Sequence, residues 1–529
     1  MKKWAAARRA VGGPFLVIAF LASLGVSWVV ANPPGYAPDE PEHYLKSVAV
    51  GRGQWFGRPA RYGIGPGFGP LQLRWINLAA RQFDIPAELV PHGFACSLFD
   101  PGRSAGCLNA TGAYVDTAPG ETTPMKTYVG TYEPFLYLPP GLVMNQTHEA
   151  RRALLAGRAV SAAIAFPLLF AATLVLWSPR TKGVSLVGLL AAATPMVVFL
   201  SSALSPTGPE VSATICLLAV FLRLARREPP PRFIWLVAGT AGTVLALGRS
   251  LGPLFLVADL LVFLALVGRR RVWQTLRQGG SGALVATVVV VLAITANLAW
   301  GLFVQPNPPF VLQEVLGSLH NSVRDIPEVL RQGVGAFGWA DVSMPRVAYV
   351  TWGVLVTVLV ALAFLVGDGR QRLVLALVFA GCAAGTIGIA AAVIHQTHFP
   401  MYGRYALPLW VALPLVTGEL IALHHDRLGL LGRRVLLFAV PLVVAAVHVA
   451  GWYANARRYA VSNNGPVLFA GRSEWAPPPW GWRPWMLLVA TAATALVAWG
   501  VVAASRAMPL APSAPAHRAG ARRAEHVGR

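Results

Sequence analysis

Residues 14–44 read PFLVIAFLASLGVSWVVANPPGYAPDEPEHY. The uncharged run 14–31 is long enough to cross the apolar core of a bilayer as a helix. A proline-rich segment follows at once, and it carries Asp39, Glu40, Glu42 and His43. Prolines hold such a segment extended or turned, because each fixes φ and restricts the residue before it. The stretch therefore predicts a membrane span that opens into a restricted, acidic loop.

The acids of this loop stand out because the chain has only 22 Asp and Glu against 44 Lys and Arg. A helix can start after Pro41, since proline is favoured in a first helical turn. One interpretation is that Asp39 only caps this helix and that its neighbours are solvated. Carboxylates held against a bilayer surface are, however, often functional. We therefore expect Asp39 and Glu40 to be catalytic candidates, with His43 beside them.

The composition is that of a multi-pass membrane protein, since 55% of the 529 residues are hydrophobic and 12% are charged. The net charge of +22 does not indicate nucleic-acid binding, because the arginines fall between apolar runs. We predict an all-α polytopic bundle with about twelve spans. The apolar runs cover residues 14–31, 153–177, 184–204, 211–224, 233–248, 251–267, 283–304, 347–366, 373–394, 405–423, 435–453 and 485–504.

The distribution of basic residues predicts the orientation. Alternate connections between the runs carry several arginines each, and the other short connections carry few. By the positive-inside rule, both termini are expected on the cytoplasmic side of a bacterial cytoplasmic membrane. One membrane domain is expected over residues 1–505, followed by a disordered basic cytoplasmic tail, 506–529. Three long extracytoplasmic loops with short amphipathic helices are expected: 32–152, 305–346 and 455–484.

The cysteines bear on the first loop. Cys96 and Cys107 have a spacing that suits a local disulfide, and an oxidising compartment favours one. A zinc site is the less favoured alternative, because no second cysteine pair exists. His395 and His398 have a spacing that could ligate a metal, but two histidines alone are weak evidence. No metal site is predicted, and the need for a divalent cation stays open.

Charged side chains at span boundaries are costly, so each needs a partner or a function. Four of them fall near the face that also holds the acidic loop: Arg158, Glu210, Arg249 and Arg404. Arginine suits phosphate because its planar guanidinium forms paired, charge-assisted hydrogen bonds. Each arginine could instead reach lipid headgroups or pair with a carboxylate. Their placement on one face favours a site for a ligand that carries hydroxyls and a phosphate.

The acid pair after the first span, the long loop and the aromatic-proline segment 131–140 resemble the GT-C superfamily of membrane glycosyltransferases. The segment 38–43 is similar to the loop that carries the catalytic acid in protein mannosyltransferases and aminoarabinose transferases. More specifically, residues 14–452 resemble a bacterial family catalogued as domain of unknown function number twenty-one forty-two. The segments that carry this resemblance are PDEPEH at 38–43, the cysteine pair, GWAD at 338–341 and GRYALP at 403–408.

The GT-C resemblance implies an inverting transferase that uses a polyprenyl-phosphate-linked sugar at the outer face of the membrane, in cell-envelope glycan or glycolipid assembly. Asp39, helped by Glu40, would deprotonate a hydroxyl of a glycan or lipid acceptor. The arginines would stabilise the leaving phosphate. The substrate-binding residues expected on this basis are His43, Arg158, Glu210, Arg249, Trp339, Asp341, Arg404 and Tyr405.

A transporter or a flippase of lipid-linked sugars is the main alternative, since about twelve spans with scattered charges also suit that class. A transporter should place its charges near the middle of the bilayer, whereas these charges cluster at one face. That clustering favours an enzyme. A non-catalytic assembly protein is a further alternative, and it should tolerate the replacement of Asp39. The chain lacks the large C-terminal soluble domain of many GT-C enzymes, so the loops are expected to recognise the acceptor.

Overall fold

A computed structural model of the protein describes residues 2–63, 69–109, 120–181, 183–306 and 311–506, with side chains from residue 13 onward. The predicted tail beyond residue 506 lies outside the described residues. The helices are α1 (Lys2–Ala31), α2 (Glu40–Gly51), α3 (Pro70–Ala79), α4 (Leu138–Met144), α5 (Ala150–Leu176), α6 (Val187–Ala192), α7 (Pro195–Ser201), α8 (Thr207–Ala225), α9 (Ile234–Gly248), α10 (Gly252–Val267), α11 (Arg269–Phe303), α12 (Leu312–Arg324), α13 (Ile326–Gly335), α14 (Arg346–Val366), α15 (Gly369–Thr397), α16 (Gly403–Trp410), α17 (Ala412–Leu423), α18 (Gly429–Val461) and α19 (Arg483–Ser505). The strands are β1 (Arg58–Pro59), β2 (Arg81–Pro86), β3 (Thr122–Thr127), β4 (Ala336–Phe337) and β5 (Val342–Ser343).

All twelve predicted apolar runs coincide with helices, so the all-α polytopic bundle is confirmed. Within the described residues, nine helical stretches are long and apolar enough to span a bilayer. The helix α6, with its short 3₁₀ extension, and α7 meet at a bend of 68°, and the pair counts as a tenth span if it crosses the bilayer as a broken helix. The count of twelve is reached only with α9 and α10, which have 15 and 16 residues. The sequence prediction is weakest at three short runs, 211–224, 233–248 and 251–267; the first belongs to the full-length helix α8, and the other two are α9 and α10.

The centre of the bundle is α8, which packs against α5, α9 and α10. In its most apolar window 89% of the residues are buried, against 22% for α11 and 28% for α14. A helix that is apolar on all sides belongs either inside a bundle or against lipid. The low burial of α11 and α14 therefore gives them the lipid-facing positions, and α8 the protein-facing one.

The first loop contains a small antiparallel sheet that the sequence did not predict. Its strand order is β1–β2–β3, and Arg81 of β2 stands opposite Thr127 of β3. Alternate residues of a strand point to one face, and here Phe83 and Ile85 are both buried against α2 and its neighbours. The sheet and α2 thus form one compact unit at the end of the bundle.

The remaining loop predictions have mixed outcomes. The disulfide between Cys96 and Cys107 is confirmed. The second loop contains two amphipathic helices, α12 and α13, followed by the β4–β5 hairpin. The third loop begins later than expected, because α18 continues to Val461. Polar residues at 455–458 therefore belong to a helix, where the sequence analysis placed a loop.

Candidate active site

The proline-rich loop is fixed to the bundle by a buried ion pair. Glu40 is fully buried, and its two oxygens accept hydrogen bonds from Nε and Nη2 of Arg158 at 2.7 and 2.5 Å. The other donors of this guanidinium bind the carbonyl oxygens of Val29, Asn32 and Pro33, where α1 passes into the loop. Every guanidinium N–H group of Arg158 therefore donates a hydrogen bond within the protein.

This geometry changes the interpretation of two candidates. Glu40 also accepts hydrogen bonds from the backbone N–H groups of Gly35 and Leu204. A carboxylate with four donors and no exposure has no oxygen left to take a proton from a substrate. Arg158 likewise has no free edge for a phosphate. The structure therefore gives both residues a role in holding the loop, where the sequence suggested a helper base and a phosphate ligand.

Asp39 occupies the N-cap position of α2 with a left-handed backbone, φ 56°. Its side chain makes no capping hydrogen bond. Instead, Oδ1 accepts from the hydroxyl of Tyr128 at 2.7 Å, and Oδ2 accepts from Nη2 of Arg404 at 2.8 Å. The interpretation of Asp39 as a simple helix cap is therefore wrong. The side chain is turned away from its own helix and keeps 21% of its surface exposed.

The pKa values of two acids in this loop, Asp39 and Glu42, are shifted in opposite directions. Burial opposes ionisation of Asp39, but the Arg404 guanidinium and the Tyr128 hydrogen bond outweigh it, so the pKa of Asp39 is lowered. Burial raises the pKa of Glu42, one helical turn away, to about 7. Burial lowers the pKa of His43 to about 3. At neutral pH the loop therefore offers one firmly ionised carboxylate beside a neutral imidazole, which exchanges a 2.8 Å hydrogen bond with Tyr137.

Two arginines face Asp39 across the pocket, and their partners differ. Arg404 is bound to Asp39, and its guanidinium lies 4.5 Å and 4.8 Å from the ring centroids of Tyr402 and Tyr405. Arg249 lies 4.7 Å from the same Tyr405 ring. Its side chain makes one long hydrogen bond, 3.4 Å, to the hydroxyl of Thr207. Among the described residues no carboxylate lies within 4.0 Å of the Arg249 guanidinium.

These groups line one pocket at the end of the bundle. Its walls are Pro38, Asp39, His43, Tyr132, Leu200, Ser205, Thr207, Arg249, Arg404 and Tyr405. The space between them is about 10 Å³, roughly the room that one water molecule needs. With Asp39 ionised and His43 neutral, the side chains that line the pocket include two guanidinium groups and one carboxylate. The lining is therefore net positive, which suits an anionic ligand, although the buried carboxyl groups of Glu210 and Glu133, outside the lining, also interact with Arg249.

Four of the expected substrate contacts lie outside this pocket: Arg158, described above, and Glu210, Trp339 and Asp341. Glu210 is buried in the first turn of α8 and packs beside Gly248, so it lies next to Arg249 and behind the wall. Trp339 donates its indole N–H to the carbonyl of Gly35 at 3.2 Å. Asp341 closes the turn by accepting from the N–H of Trp339 at 3.0 Å. The last two support the acidic loop from behind.

Tyr128, Tyr132 and Thr207 are site residues that sequence reasoning missed. Tyr132 lies in the aromatic-proline segment, which was noted as a whole without a role for its single residues. Tyr128 directly follows β3, and the sheet brings its hydroxyl to Asp39. Nothing in the local sequence of Thr207 distinguishes it from a residue at the start of a helix. Only its position opposite Arg249 gives it a role.

Among the described residues, no group of three His, Cys, Asp or Glu side chains is placed so that it could hold a metal ion. His395 instead lies 2.7 Å from Glu314 of α12. This contact gives that histidine a partner that ties the second loop to α15.

The fold and the pocket define a multi-pass, all-α membrane protein with an arginine–carboxylate site at one end of its bundle. Residues 22–413 match the family described as "Predicted membrane protein (DUF2142)", and the chain belongs to this family. A search of curated proteins gave no match. Among solved structures, the apo crystal structure of ArnT from Cupriavidus metallidurans is similar at 15% identity, over 92% of this chain and 76% of that one, with a TM-score of 0.40.

Proposed function

We propose that the protein is a glycosyltransferase that takes a sugar from a polyprenyl-phosphate donor at the outer face of the cytoplasmic membrane. The observation that carries the proposal is one pocket with two complementary features. It contains an ionised carboxylate, Asp39, and the guanidinium of Arg249, which has no carboxylate within 4.0 Å among the described residues. A base for a hydroxyl and a free cation for a phosphate are what this transfer requires. The resemblance of the acidic loop to GT-C enzymes supports the same reaction.

The reaction follows from these positions. Asp39 takes the proton of the acceptor hydroxyl as the oxygen attacks the anomeric carbon of the donor. The bond between that carbon and the phosphate oxygen breaks, and its electron pair stays on the phosphate. Arg249 and Arg404 then stabilise the charge of the released polyprenyl phosphate. A single displacement inverts the configuration at the anomeric carbon.

The neighbours of Asp39 have supporting roles in this proposal. Arg404 keeps the carboxylate ionised and shares its guanidinium with the incoming phosphate. Tyr128 fixes the other carboxylate oxygen, so that one lone pair faces the acceptor. His43 stays neutral, because burial opposes its protonation. A neutral His43 adds no charge that would compete with the arginines.

The test is the fate of a radiolabelled polyprenyl-phosphate sugar with the purified protein in lipid nanodiscs, with an envelope extract as the acceptor source. The wild type should release free polyprenyl phosphate and label an acceptor, and Asp39→Asn should do neither. The matched control is Asp84→Asn, because that exposed carboxylate pairs with Arg58 on the sheet, outside the residues that line the pocket. Release by Asp39→Asn at the wild-type rate would overturn the assignment of the base.

A flippase for the same lipid-linked sugar is the second candidate, and one observation favours it. The bent helix pair α6–α7 places Leu200 and the adjoining Ser205 in the pocket wall, and broken helices at binding sites are typical of transporters. In sealed liposomes, a flippase would move the labelled donor between leaflets without releasing polyprenyl phosphate. That outcome would replace the transferase proposal.

A further inference from the structure

A second cavity lies outside the proposed active site, along one face of α18. Its volume is about 630 Å³. That volume falls within the range of sites that enclose a small organic ligand. We call it the α18 groove, and its floor is formed by Ala446, Val449, Ala450, Tyr453, Ala454 and Arg457. These positions repeat at intervals of three and four residues, so they form one helix face, about 16 Å long at 1.5 Å per residue.

The walls of the groove come from two other segments. Residues 342–345, which lead from β5 into α14, form one side. Asn463 and Val467 of the third loop form the other. The hydroxyl of Tyr453 on the floor donates a hydrogen bond to the carbonyl of Val467 at 2.5 Å, and this bond connects the third loop to α18. One wall of the groove is therefore held in place by a hydrogen bond to its floor.

The groove is polar at one end and apolar at the other. Arg457 and Asn463 lie at the end nearest the first loop, since the N–H of Asn463 donates to the carbonyl of Pro101. Ala446 and Val449 lie more than one turn deeper along α18, towards the middle of the span. The rim is apolar and open, with Val467 66% exposed and Leu468 84% exposed. This gradient matches a molecule with a polar head and a hydrocarbon chain.

The charge at the polar end is positive and uncompensated. Arg457 donates to the carbonyls of Asn463, Gly465 and Pro466 through Nε and Nη2, and within the described part of the chain its Nη1 makes no hydrogen bond. Arg346, the first residue of α14, is exposed and follows the wall residue Pro345, but it does not itself line the groove, so Arg457 is the cation of the lining. Among the described residues neither arginine has a carboxylate within 4.0 Å. The head that fits this end is therefore an anion.

The groove is separate from the active-site pocket. A Cβ at Gly451, on the neighbouring face of α18, would come within 2.9 Å of the Phe337 ring. The centroid of that ring lies 5.3 Å from the ring of Phe199, and the next residue, Leu200, lines the pocket. One aromatic layer thus stands between the two cavities. A molecule in the groove can lie beside the pocket without entering it.

We infer that the α18 groove is a binding site for one membrane lipid with an anionic phosphate headgroup, held head-first at Arg457 with its chain along Ala450 and Ala446. The inference does not depend on the proposed transfer reaction. The site would keep a lipid beside the pocket and fix the third loop against the first.

The test uses nanodiscs with a trace of phosphatidylglycerol that carries a photoreactive diazirine in its acyl chain, beside a matched phosphatidylcholine probe. After irradiation, mass spectrometry locates the crosslinks. We expect them to concentrate on residues 446–454, with about fivefold more labelling by phosphatidylglycerol, the size expected for one cation near an anionic headgroup. Even labelling of all exposed helix faces, or equal labelling by the two probes, would overturn the inference.

Variants of the groove separate the effect of the Arg457 charge from the effect of holding the third loop in place. Ala450→Trp should fill the groove and remove the crosslinks of both probes, whereas Leu487→Trp on the exposed face of α19 should change neither. Arg457→Gln should abolish the preference for phosphatidylglycerol, and Arg457→Lys should keep it. If Lys and Gln behave alike, Arg457 only fastens the loop, and the anionic part of the inference fails. Because no turnover is measured, the result is independent of the proposed function.

Discussion

Asp39 and Glu40 are neighbours in the chain, and each pairs with an arginine, yet only one of the two pairs is open. Glu40 has no exposed surface and four donors around it, whereas Asp39 keeps 21% of its side chain exposed and has two. The closed pair resembles Arg226–Glu419, a buried bidentate pair in which Nε and Nη2 donate at 2.7 and 2.6 Å. In this comparison, spare bonding capacity is what distinguishes the proposed base, Asp39, from the acid that holds the loop, Glu40.

The largest effect should come from breaking the closed pair. Glu40→Gln leaves the Arg158 guanidinium buried without a counter-charge, which should cost about 3–5 kcal/mol of unfolding free energy. Thermal unfolding of the detergent-solubilised protein measures this cost. Arg152→Gln is the control, because its pair with Glu149 is exposed and should contribute about 0–1 kcal/mol. Equal melting of the two variants would mean that the closed pair does not hold the loop.

Asp39→Asn should show the opposite pattern. Turnover should fall by roughly 10²–10⁴-fold, the usual contribution of a positioned general base. Unfolding free energy should change by less than half of the Glu40→Gln effect, because the side chain is partly exposed and Arg404 keeps its contacts with Tyr405. Transfer kinetics and thermal unfolding on the same preparation check both parts. A variant that melts as early as Glu40→Gln would remove the distinction between the two acids.

Variants of Arg249 extend the comparison from the two acids to the arginines of the pocket. Arg249→Gln should lower kcat by roughly 10²-fold, because a charge that stabilises the leaving phosphate is lost. Arg249→Lys should recover part of this loss, since it restores the charge but not the planar fork. Arg346→Gln, which alters an exposed arginine at the start of α14, should leave kcat unchanged. If Arg249→Gln retains full kcat, the leaving group is stabilised elsewhere.

Replacing Glu42 should change the unfolding free energy the least, and this change should depend most strongly on pH. Its pKa is higher in the folded protein, about 7, than in an unfolded chain, so the stability it contributes is present at acidic pH and lost as the pH rises through 7. The wild type should therefore lose on the order of 1–2 kcal/mol relative to Glu42→Gln between pH 5 and 8.5, allowing for partial exposure. Thermal unfolding of both proteins across this range measures the difference. Parallel pH profiles would show that this carboxyl titrates normally.

The helices, the disulfide and the candidate base could be predicted from the sequence for local reasons. An apolar run predicts its own helix because a bilayer span must satisfy its backbone hydrogen bonds internally. Cys96 and Cys107 lie close enough in the chain to meet in one loop. Asp39 stands out because acids are rare in this chain and because its segment resembles a known catalytic loop.

The β2–β3 sheet could not be predicted in the same way. Its strands are six residues each, and β2 is buried only through contacts with α2. Such short strands carry little intrinsic preference and depend on packing. The sheet places Tyr128 beside Asp39, so the sequence could not predict that contact either.

By itself, the sequence determined that the chain is a membrane bundle with an acidic loop and several arginines at one face. Only the tertiary structure decided which arginine meets which acid. Arg158 is 118 residues from Glu40 in the chain, and Arg404 is 365 residues from Asp39. An ion pair is set by a few ångströms of distance and by the water that remains around it, and both depend on how the helices pack. That packing made Glu40 structural and left Asp39 and Arg249 open to a ligand.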